Sequence, residues 1–445
     1  MAPRRLSPIE HPVTLTVDGR AVIADEGEPV AIALAAAGRL TLGRSVKYHR
    51  PRGAVCYAGR CDGCLMRVDG VASTMTCRVP AREGLRVETQ NVLGSAKVDL
   101  LAATDWFFPG GMNHHEMFTW NEAVNKVMQK VARRVAGIGR VPDDVTEPVA
   151  VVDLEVDTLV IGAGPAGLTV AAELAKAGKR VHVIDEETEP GGSLRLWPAR
   201  VRVEGRPTHP STVVERMVQR CTSGGVTFHQ TTGALAVYDP REAADPSPAL
   251  DRRIVLADRT DGAIRFMPRR LVIAPGRHRA IPPFSDSDTP GVIEWAAAAR
   301  MLHGGVLPGE RVLVAIAESE DPAPVVALVE ALKTHGAEIH GPLALEAIVD
   351  VVGRPELSGC TVEVGGTRSK LDCDSIVVCG PSSAVYELAS QAGVGVRFGE
   401  GGFELDVGAN GSTASDDVFV VGGAAGVIGL EACVAHAKRA AEAMR

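Results

Sequence analysis

The stretch that decides the fold is VDTLVIGAGPAGLTVAAELAKAGKRVHVID, residues 156–185. It begins with a continuous apolar segment, Val156 to Ile161, that is typical of a buried strand. A glycine-rich turn, a helical segment ending near Ala177 and a second strand from Val181 to Ile184 follow. Strand, turn, helix and strand in this order predict a βαβ unit, and therefore an α/β fold with a parallel sheet.

The turn reads GAGPAG, which is the pattern G-x-G-x-x-G. Gly162 is expected to permit the turn, Gly164 to let the backbone approach a pyrophosphate, and Gly167 to let the helix pack on the strand. The pyrophosphate would lie at the helix N-terminus. Asp185 closes the second strand, where a carboxylate can accept hydrogen bonds from a ribose 2′-hydroxyl, and no arginine stands there for a 2′-phosphate. The motif predicts a dinucleotide site.

Three further glycine-rich segments extend this site. Residues 190–194 read PGGSL, and a Gly-Gly at this offset lies beside the cofactor in two-dinucleotide-domain flavoproteins. A strand at 271–274 leads into Gly276, and a strand at 418–421 leads into GGAAG at 422–426. Together they predict one discontinuous nucleotide-binding domain. Its candidate binding residues are Gly162, Gly164, Pro165, Ala166, Gly167, Asp185, Glu186, Gly192, Ser193, Gly276 and Gly422.

A second βα unit is predicted between these segments, with a strand at 311–317 and a helix at 322–335. The turn between them contains no glycine and carries Glu318, Glu320 and Asp321 where a pyrophosphate would lie. Because like charges repel, this inserted unit is predicted to be a scaffold that does not bind NAD(P)H. No redox-active cysteine pair, serine triad or P-loop is found, so no catalytic residue is assigned.

Towards the N-terminus, residues 56–77 read CYAGRCDGCLMRVDGVASTMTC. The spacing C-x4-C-x2-C-x12-C is the plant-type pattern for a [2Fe–2S] cluster held by four thiolates. Gly59 and Gly63 allow the loop to curl so that backbone N–H groups point at sulfur. A zinc site, a disulfide framework and four ordinary buried thiols are the alternatives. The predicted cluster ligands are Cys56, Cys61, Cys64 and Cys77.

The residues around these cysteines predict a ferredoxin-type β-grasp domain. A hairpin with its turn at Asp18-Gly19 precedes a short helix at 30–37, and strands at 65–68 and 85–88 follow. The loop is also basic, with seven arginines and lysines between Arg39 and Arg67 against one acid. These cations could be solvated, could stabilise a reduced cluster, or could dock an acidic partner or a flavin phosphate. The sequence leaves these options open.

Length and composition set the remaining expectations. The chain has 445 residues and a net charge of −8, which predict about three domains and no nucleic-acid partner. It shows no signal peptide or membrane span, so a cytoplasmic location is expected, with the other five cysteines as buried free thiols. The predicted domains are a cluster domain at 1–95, a connector with a helix at 96–154, a nucleotide domain at 155–290 and 385–445, and an inserted domain at 291–384.

The connector contains an aromatic segment around Trp106 and Trp120 that is expected to pack against another domain or subunit. Its His114, His115 and Glu116 could suggest a metal site. Adjacent histidines on a glycine-rich loop more often pack or cap, so no metal is predicted there.

At this point the residues resemble a family: the α-type subunits of heteromeric sarcosine oxidases, with the related hydrogen cyanide synthase, opine oxidase and proline dehydrogenase complexes. The resemblance implies an N-terminal ferredoxin-like domain followed by a two-dinucleotide-binding-domain, Rossmann-like flavoprotein fold. It rests on the ordered segments KYHRPRG (47–53), DWFFP (105–109), AGIGRVP (136–142), the strand and turn at 160–167, APG (274–276), TPGV (289–292) and the segment from Cys379-Gly380-Pro381 to Leu388.

The resemblance also implies a role. An amino-acid-oxidase-type β subunit would carry FAD and oxidise the amine, and small additional subunits can be present. The α-type subunit would take electrons onward, in some members through an FMN at the subunit interface. The cysteine pattern resembles the members that keep a [2Fe–2S] cluster. This chain is thus predicted to be an electron-transfer subunit of an oxidoreductase acting on CH–NH donors, without the amine-oxidising site itself.

Two departures qualify the resemblance. The longer sarcosine oxidase α subunits continue into a folate-binding domain, and because this sequence ends at Arg445 no folate chemistry is expected within it. FAD-binding members often have Gly-Asp in the C-terminal motif, with the Asp on the ribityl chain, whereas Gly423 follows Gly422 here. FAD is the predicted nucleotide, and NAD or another adenine nucleotide is the alternative. The alternative functions are a self-contained NAD(P)H-dependent ferredoxin reductase and a non-catalytic assembly subunit with a structural nucleotide.

Overall fold

A computed structural model describes residues 3–45, 49–92, 94–99, 121–135, 149–242, 252–259, 262–317, 323–399 and 402–445. The chain divides into two compact units, each treated separately below. The first comprises Met1–Val145 and Ile281–Gly380, and the second comprises Thr146–Ala280 and Pro381–Arg445. The predicted domain at 1–95 and nearly all of that at 291–384 fall in the first unit.

The N-terminal part of the first unit is a five-stranded sheet with one helix across it. Residues alternate between exposed and buried along Pro12–Val17, so Val13, Leu15 and Val17 supply one apolar face. The helix Val30–Ala36 buries nearly all of its residues. Across the sheet the strands follow the order Arg20–Asp25, Pro12–Val17, Arg86–Glu88, Leu65–Val68 and Val71–Met75. This is the expected β-grasp arrangement, with one parallel pair between Pro12–Val17 and Arg86–Glu88.

The rest of the first unit contains a parallel sheet of four strands. Their order is Val292–Glu294, Ser375–Cys379, Arg311–Ile316 and Glu338–Ala344. The helices of this part are Trp295–His303 and Ala323–Thr334. A three-stranded antiparallel sheet, which the sequence did not reveal, is formed by Ile348–Val352, Gly359–Val364 and Thr367–Leu371. The two sheets contribute to one buried apolar cluster.

The second unit is built around the strand Val151–Ile161, which contains the apolar segment before the glycine turn. The strands Thr227–His229, Val181–Ile184, Val151–Ile161, Gly262–Ile273 and Val418–Val420 lie side by side and parallel. The other end of Gly262–Ile273 continues into an antiparallel meander with Ile254–Arg259 and Gly233–Tyr238. The helices Pro165–Lys176, Pro210–Ser223 and Leu430–Ala443 contribute to the apolar cluster on one face. The α/β fold with a Rossmann-like unit is thereby confirmed.

The remaining described elements are short, apart from the connector helix. They are the strands Arg4–Arg5, Gly43–Arg44, Pro51–Arg52, Gly94–Ser95, Val98–Asp99, Val201–Val203, Arg206–Thr208, Arg277–Arg279, Val306–Leu307, Ser382–Ala384, Val396–Gly399 and Gly402–Leu405, the helices Glu122–Val135 and Glu387–Gln391, and the 3-10 turns Thr76–Arg78, Gly192–Leu194, Pro240–Glu242, Leu345–Ala347 and Gly422–Ala425. Within the described ranges, every helix is too short or too polar to cross a bilayer.

Some predictions fall on residues outside these ranges. They are the aromatic segment with Trp106 and Trp120, the residues His114, His115 and Glu116, and the acidic turn with Glu318, Glu320 and Asp321.

Candidate cluster and nucleotide sites

The cysteine loop of the first unit curls tightly, and two glycines make the curl possible. A Cβ on Gly63 would overlap the carbonyl oxygen of Gly53, so the loop closes on its own backbone there. Gly59 has φ +73°, and a Cβ on it would lie 2.9 Å from Arg78 Cδ. A side chain at Gly63 would therefore push the loop apart, and one at Gly59 would be strained by the positive φ.

The four cysteine sulfurs come together as two pairs. Cys56 Sγ lies 3.4 Å from Cys61 Sγ, and Cys64 Sγ lies 3.4 Å from Cys77 Sγ. In the part of the chain that the structure describes, no three His, Cys, Asp or Glu side chains form a site for a single metal ion. Two sulfur pairs from one loop are the arrangement by which two irons would each receive two thiolates.

Backbone N–H groups of the loop point at these sulfurs. Ala58 and Arg60 each donate to Cys56 Sγ over 3.4 Å, and Gly59 donates to Cys77 Sγ over 3.2 Å. Donors fixed in the backbone stabilise negative charge on sulfur without having to reorganise. The loop thus provides the environment that four thiolates and a cluster require.

The hydrogen bonds of the loop shift the pKa values of the four thiols. A hydrogen bond from the Cys56 thiol, with backbone N–H donors behind it, lowers the pKa of Cys61 to about 5. A hydrogen bond from Cys77 likewise lowers the pKa of Cys64. The pKa values of the two donors, Cys56 and Cys77, are raised because each shares its proton with its neighbour and is buried. Each pair therefore favours one thiolate even before metal is considered.

Most of the basic residues in and near the cluster loop form ion pairs or hydrogen bonds within the chain, which their positions in the sequence did not reveal. Arg50 forms ion pairs with Asp286 and Asp288, and Arg52 Nη1 lies 3.3 Å from Asp288. These two arginines therefore fix the loop to the segment at 286–288. Elsewhere in the loop, Arg39 pairs with Asp18, Arg44 donates to the carbonyls of His49 and Ala96, and Arg67 donates to the carbonyl of Gly70.

Uncharged contacts reinforce this attachment. A Cβ on Gly53 would lie 2.9 Å from Pro290 Cβ, so the loop backbone is pressed against that proline. The N–H of Glu294 donates to the carbonyl of Val55 over 3.1 Å, directly before the first ligand. Glu294 ends a strand of the four-stranded parallel sheet, so the cluster loop lies at the carboxyl edge of that sheet.

The glycine turn of the second unit has the shape that a bound pyrophosphate requires. Gly162 has φ +101°, and a Cβ there would overlap the carbonyl oxygen of Ala274. A Cβ on Gly167 would overlap the carbonyl oxygen of Gly162. A Cβ on Gly164, by contrast, would meet no described residue within 4 Å, which leaves room for a ligand on this side of the turn. The three glycines thus occupy three different environments, as the dinucleotide motif demands.

Asp185 lies beside this turn. Its carboxylate accepts the N–H of Ala163 over 2.5 Å and the N–H of Glu187 over 2.8 Å. Burial nevertheless raises the pKa of Asp185 above that of an ordinary aspartate. Each carboxylate oxygen has further acceptor capacity, so a ribose hydroxyl can still donate to it. The neighbouring Glu186 is exposed.

The distant glycines converge on the same turn. The N–H of Gly191 donates to the carbonyl of Ala163 over 2.8 Å, and a Cβ on Gly192 would lie 2.9 Å from Gly164 Cα. A Cβ on Gly422 would lie 2.5 Å from Ala166 Cβ, at the start of the helix. Close backbone packing therefore joins these segments around one cradle. Ser193 is exposed, and Gly276 has φ +84° with open space around it.

Two features of the cradle were not found from the sequence. A Cβ on Gly423 would lie 3.0 Å from Arg277 Cγ, so the Arg277 side chain packs against the position at which the family resemblance predicts an aspartate for FAD. Gln230 directly follows the strand Thr227–His229, and both polar atoms of its amide are buried without a hydrogen-bond partner among the described residues. A polar residue after a strand is a common sequence pattern, so only the structure reveals the unpaired amide.

Comparison with known proteins agrees with both sites. Residues 10–92 match the 2Fe-2S iron-sulfur cluster binding domain, and residues 160–221 match the NAD(P)-binding Rossmann-like domain. The sarcosine oxidase subunit alpha of Rhizobium meliloti is 28% identical over 97% of this chain and 46% of its own length. The hydrogen cyanide synthase subunit HcnA of Pseudomonas aeruginosa is 35% identical over 18% of this chain and 75% of its own length.

The L-proline dehydrogenase of P. horikoshii has the same fold, with a TM-score of 0.72 at 22% identity over 98% of this chain and 74% of that one. The chain spans less than half the length of the curated sarcosine oxidase subunits that it matches. Nevertheless the similarity runs through nearly all of this chain, and the predicted resemblance is confirmed. Over nearly its whole length the chain is similar to the sarcosine oxidase α subunits, and it contains a 2Fe–2S cluster-binding domain followed by a Rossmann-like nucleotide-binding domain.

Proposed function

We propose that this chain is the electron-transfer subunit of a heteromeric, flavin-dependent oxidase or dehydrogenase of amines or amino acids. The observation that carries the proposal is the two pairs of thiols, with three backbone donors, in a chain that also holds a nucleotide cradle. A bound [2Fe–2S] cluster supplies one-electron transfer. The relatives are named as α subunits, which supports the presence of partner subunits.

Within this proposal the residues have separate tasks. Cys56 and Cys61 would hold one iron of a bound cluster, and Cys64 and Cys77 would hold the other. The N–H groups of Ala58, Gly59 and Arg60 stabilise charge on the sulfurs. None of these groups activates an amine, so amine oxidation is assigned to a partner subunit of the amino-acid-oxidase type that carries FAD.

The cradle of the second unit is proposed to hold an adenine nucleotide. The open side of Gly164 and the N-terminus of the helix Pro165–Lys176 would receive the pyrophosphate. The carboxylate of Asp185 would accept from the ribose. FAD is the nucleotide predicted from the fold, and the packing of Gly423 beneath Arg277 favours NAD or another adenine nucleotide over it. Release and chromatography of the bound nucleotide distinguish these.

The position of the cluster loop argues against the alternative of a self-contained NAD(P)H reductase. That function requires a second dinucleotide at the carboxyl edge of the inserted parallel sheet. The carbonyl of Val55 accepts the N–H of Glu294 at this edge, so the loop lies where such a ligand would approach. This contact supports the role of the inserted sheet as a scaffold.

The test is anaerobic purification of the chain together with any partner subunits that copurify with it. Visible spectroscopy, iron and sulfide analysis and nucleotide release are then measured on the one preparation. We expect a coloured complex whose cluster is reduced by a secondary amine only when the flavin-carrying partner is present. Rapid amine oxidation by the isolated chain would contradict the proposal.

Two other outcomes identify the alternatives. Bleaching of the isolated chain by NAD(P)H would establish the reductase. A loaded cluster that substrate and partner together fail to reduce would establish a non-catalytic assembly subunit.

A further inference from the structure

Gln230 carries a buried side-chain amide in the second unit. Both polar atoms of this amide, Nε2 and Oε1, are buried, and neither has a hydrogen-bond partner among the residues that the structure describes. An amide offers two donors and an acceptor oxygen, and burying it without any hydrogen bond is costly, so nearly all such groups in folded proteins have a partner. The amide is therefore expected to bind a partner outside the described residues.

Gln230 lies at the edge of the sheet where the nucleotide cradle is found. It directly follows the strand Thr227–His229, which runs parallel to its neighbour Val181–Ile184, so both strands end at the same edge. In open parallel sheets, ligands bind outside the carboxyl ends of the strands. The unpaired amide therefore belongs to the edge of the sheet that ligands use.

Backbone hydrogen bonds hold Gln230 beside Asp185, the residue proposed to bind the ribose. The N–H of Asp185 donates to the carbonyl of His229 over 3.0 Å, and the carbonyl of Asp185 accepts the N–H of Thr232 over 2.8 Å. Gln230 is thus enclosed between two contacts to the same residue. Because the base of a nucleotide is attached directly to its ribose, a ribose on the carboxylate of Asp185 brings its base to this neighbourhood.

The other polar side chains of this turn already have partners. The hydroxyls of Thr231 and Thr232 donate to the main-chain carbonyl of Gln230 over 2.7 and 3.0 Å. A ring nitrogen of His229 lies 3.0 Å from a ring nitrogen of His182. Within the described turn at 229–232, the amide of Gln230 is thus the side-chain group that stays available to a ligand.

Adenine presents the groups that a glutamine amide complements. Its exocyclic N6 amine donates and the ring nitrogens beside that amine accept, so one amide can bind both with its oxygen and its N–H. We propose that the side-chain amide of Gln230 binds the adenine base of the nucleotide and selects adenine through its N6 amine. The inference rests on the proposed adenine nucleotide in the cradle. It holds for FAD and NAD alike, because both contain adenosine.

The test measures binding of ADP and of purine riboside 5′-diphosphate, which differs from ADP only in lacking the N6 amine. Calorimetric titration of the full chain, freed of bound nucleotide, gives both affinities. We expect the wild-type chain to prefer ADP about tenfold, because the purine analogue leaves the buried amide oxygen without its donor. Gln230→Leu removes the amide at similar size and should lose most of this preference. Gln129→Leu, at an exposed position in the other unit, is the matched control and should retain it.

The wild-type measurement does not depend on the folding of the variant. A wild-type chain that binds both nucleotides equally would overturn the inference. A folded Gln230→Leu chain that keeps the full preference for ADP would also overturn it, and would indicate that water is the partner of the amide. A wild-type chain that binds neither nucleotide would overturn the proposed adenine site as well, so the two failures are distinguishable.

Discussion

The cluster loop and the nucleotide turn are both glycine-rich curls, but they are assembled in opposite ways. The cluster loop takes all four predicted ligands from one segment, and cysteine side chains would do the binding. The nucleotide cradle gathers segments more than 200 residues apart, and backbone does most of the shaping. A side-chain site therefore depends on a few irreplaceable atoms, whereas a backbone site depends on the absence of side chains.

The largest effect is expected from removing one ligand. Cys64→Ser should abolish stable cluster binding, because a serine hydroxyl stays protonated and is a poor ligand for iron. Iron and sulfide per chain should fall to near background, while nucleotide content is unchanged. Cys221→Ser is the control, since burial raises the pKa of Cys221 and it lies outside the loop. Parallel loss of nucleotide would show that the two sites are not independent.

The glycines of the nucleotide turn provide the next contrast. Gly167→Ala should destabilise the fold by about 1–3 kcal/mol, because its Cβ would overlap the carbonyl of Gly162. Gly164→Ala should leave the unfolding transition unchanged, since nothing lies within 4 Å, yet weaken nucleotide binding at least about tenfold. Thermal unfolding and calorimetric titration separate the two effects. Equal stability losses in both variants would contradict this assignment.

A pH titration of Asp185 sharpens the same contrast. Burial raises the pKa of Asp185 in the folded chain, so the folded state binds this proton more tightly than the unfolded state. As the pH falls from neutral through that pKa, the contribution of Asp185 to the unfolding free energy should rise, while nucleotide affinity should fall because an acceptor is lost. Asp185→Asn should remove this pH dependence of binding. A variant that retains the wild-type profile would exclude Asp185 as its source.

The smallest effect is expected at the attachment of the cluster loop. Arg50→Ala removes ion pairs with Asp286 and Asp288, and because Arg50 is partly exposed the loss should be about 1 kcal/mol or less. Limited proteolysis of the loop should accelerate, and its salt dependence should disappear. Arg368→Ala removes an exposed pair with Glu363 and serves as the control. A loop of unchanged protease resistance would show that the apolar contacts suffice.

The sequence predicted most of what depends on short-range patterns. Cysteine spacing identified the cluster loop, and the strand, turn and helix around Gly162–Gly167 identified the Rossmann-like unit, because both signals lie within about 30 residues. The two sulfur pairs and the individual environments of the glycines needed the three-dimensional structure. Roles of single nucleotide-site residues remain predictions.

Contacts between residues that are far apart in the sequence could not be predicted from short-range patterns. The partners of Arg50 and Arg52 lie more than 230 positions downstream, so their charge looked available for a partner or a cofactor. The three-stranded sheet at 348–371 was missed because its last strand, Thr367–Leu371, is polar and exposed, and because the three strands follow one another closely. Nothing in the pattern of residues distinguishes a paired cation from a free one.

The attachment of the cluster loop to Asp286, Pro290 and Glu294 has a consequence for biosynthesis. All four cysteines leave the ribosome some 200 residues before the segment at 286–294 that contacts their loop. During translation the nascent cysteine loop therefore lacks these contacts. Iron delivered at that stage would reach a loop that has not yet taken its final conformation. Maturation of this protein is therefore expected to be ordered, with metal insertion following completion of the downstream sheet.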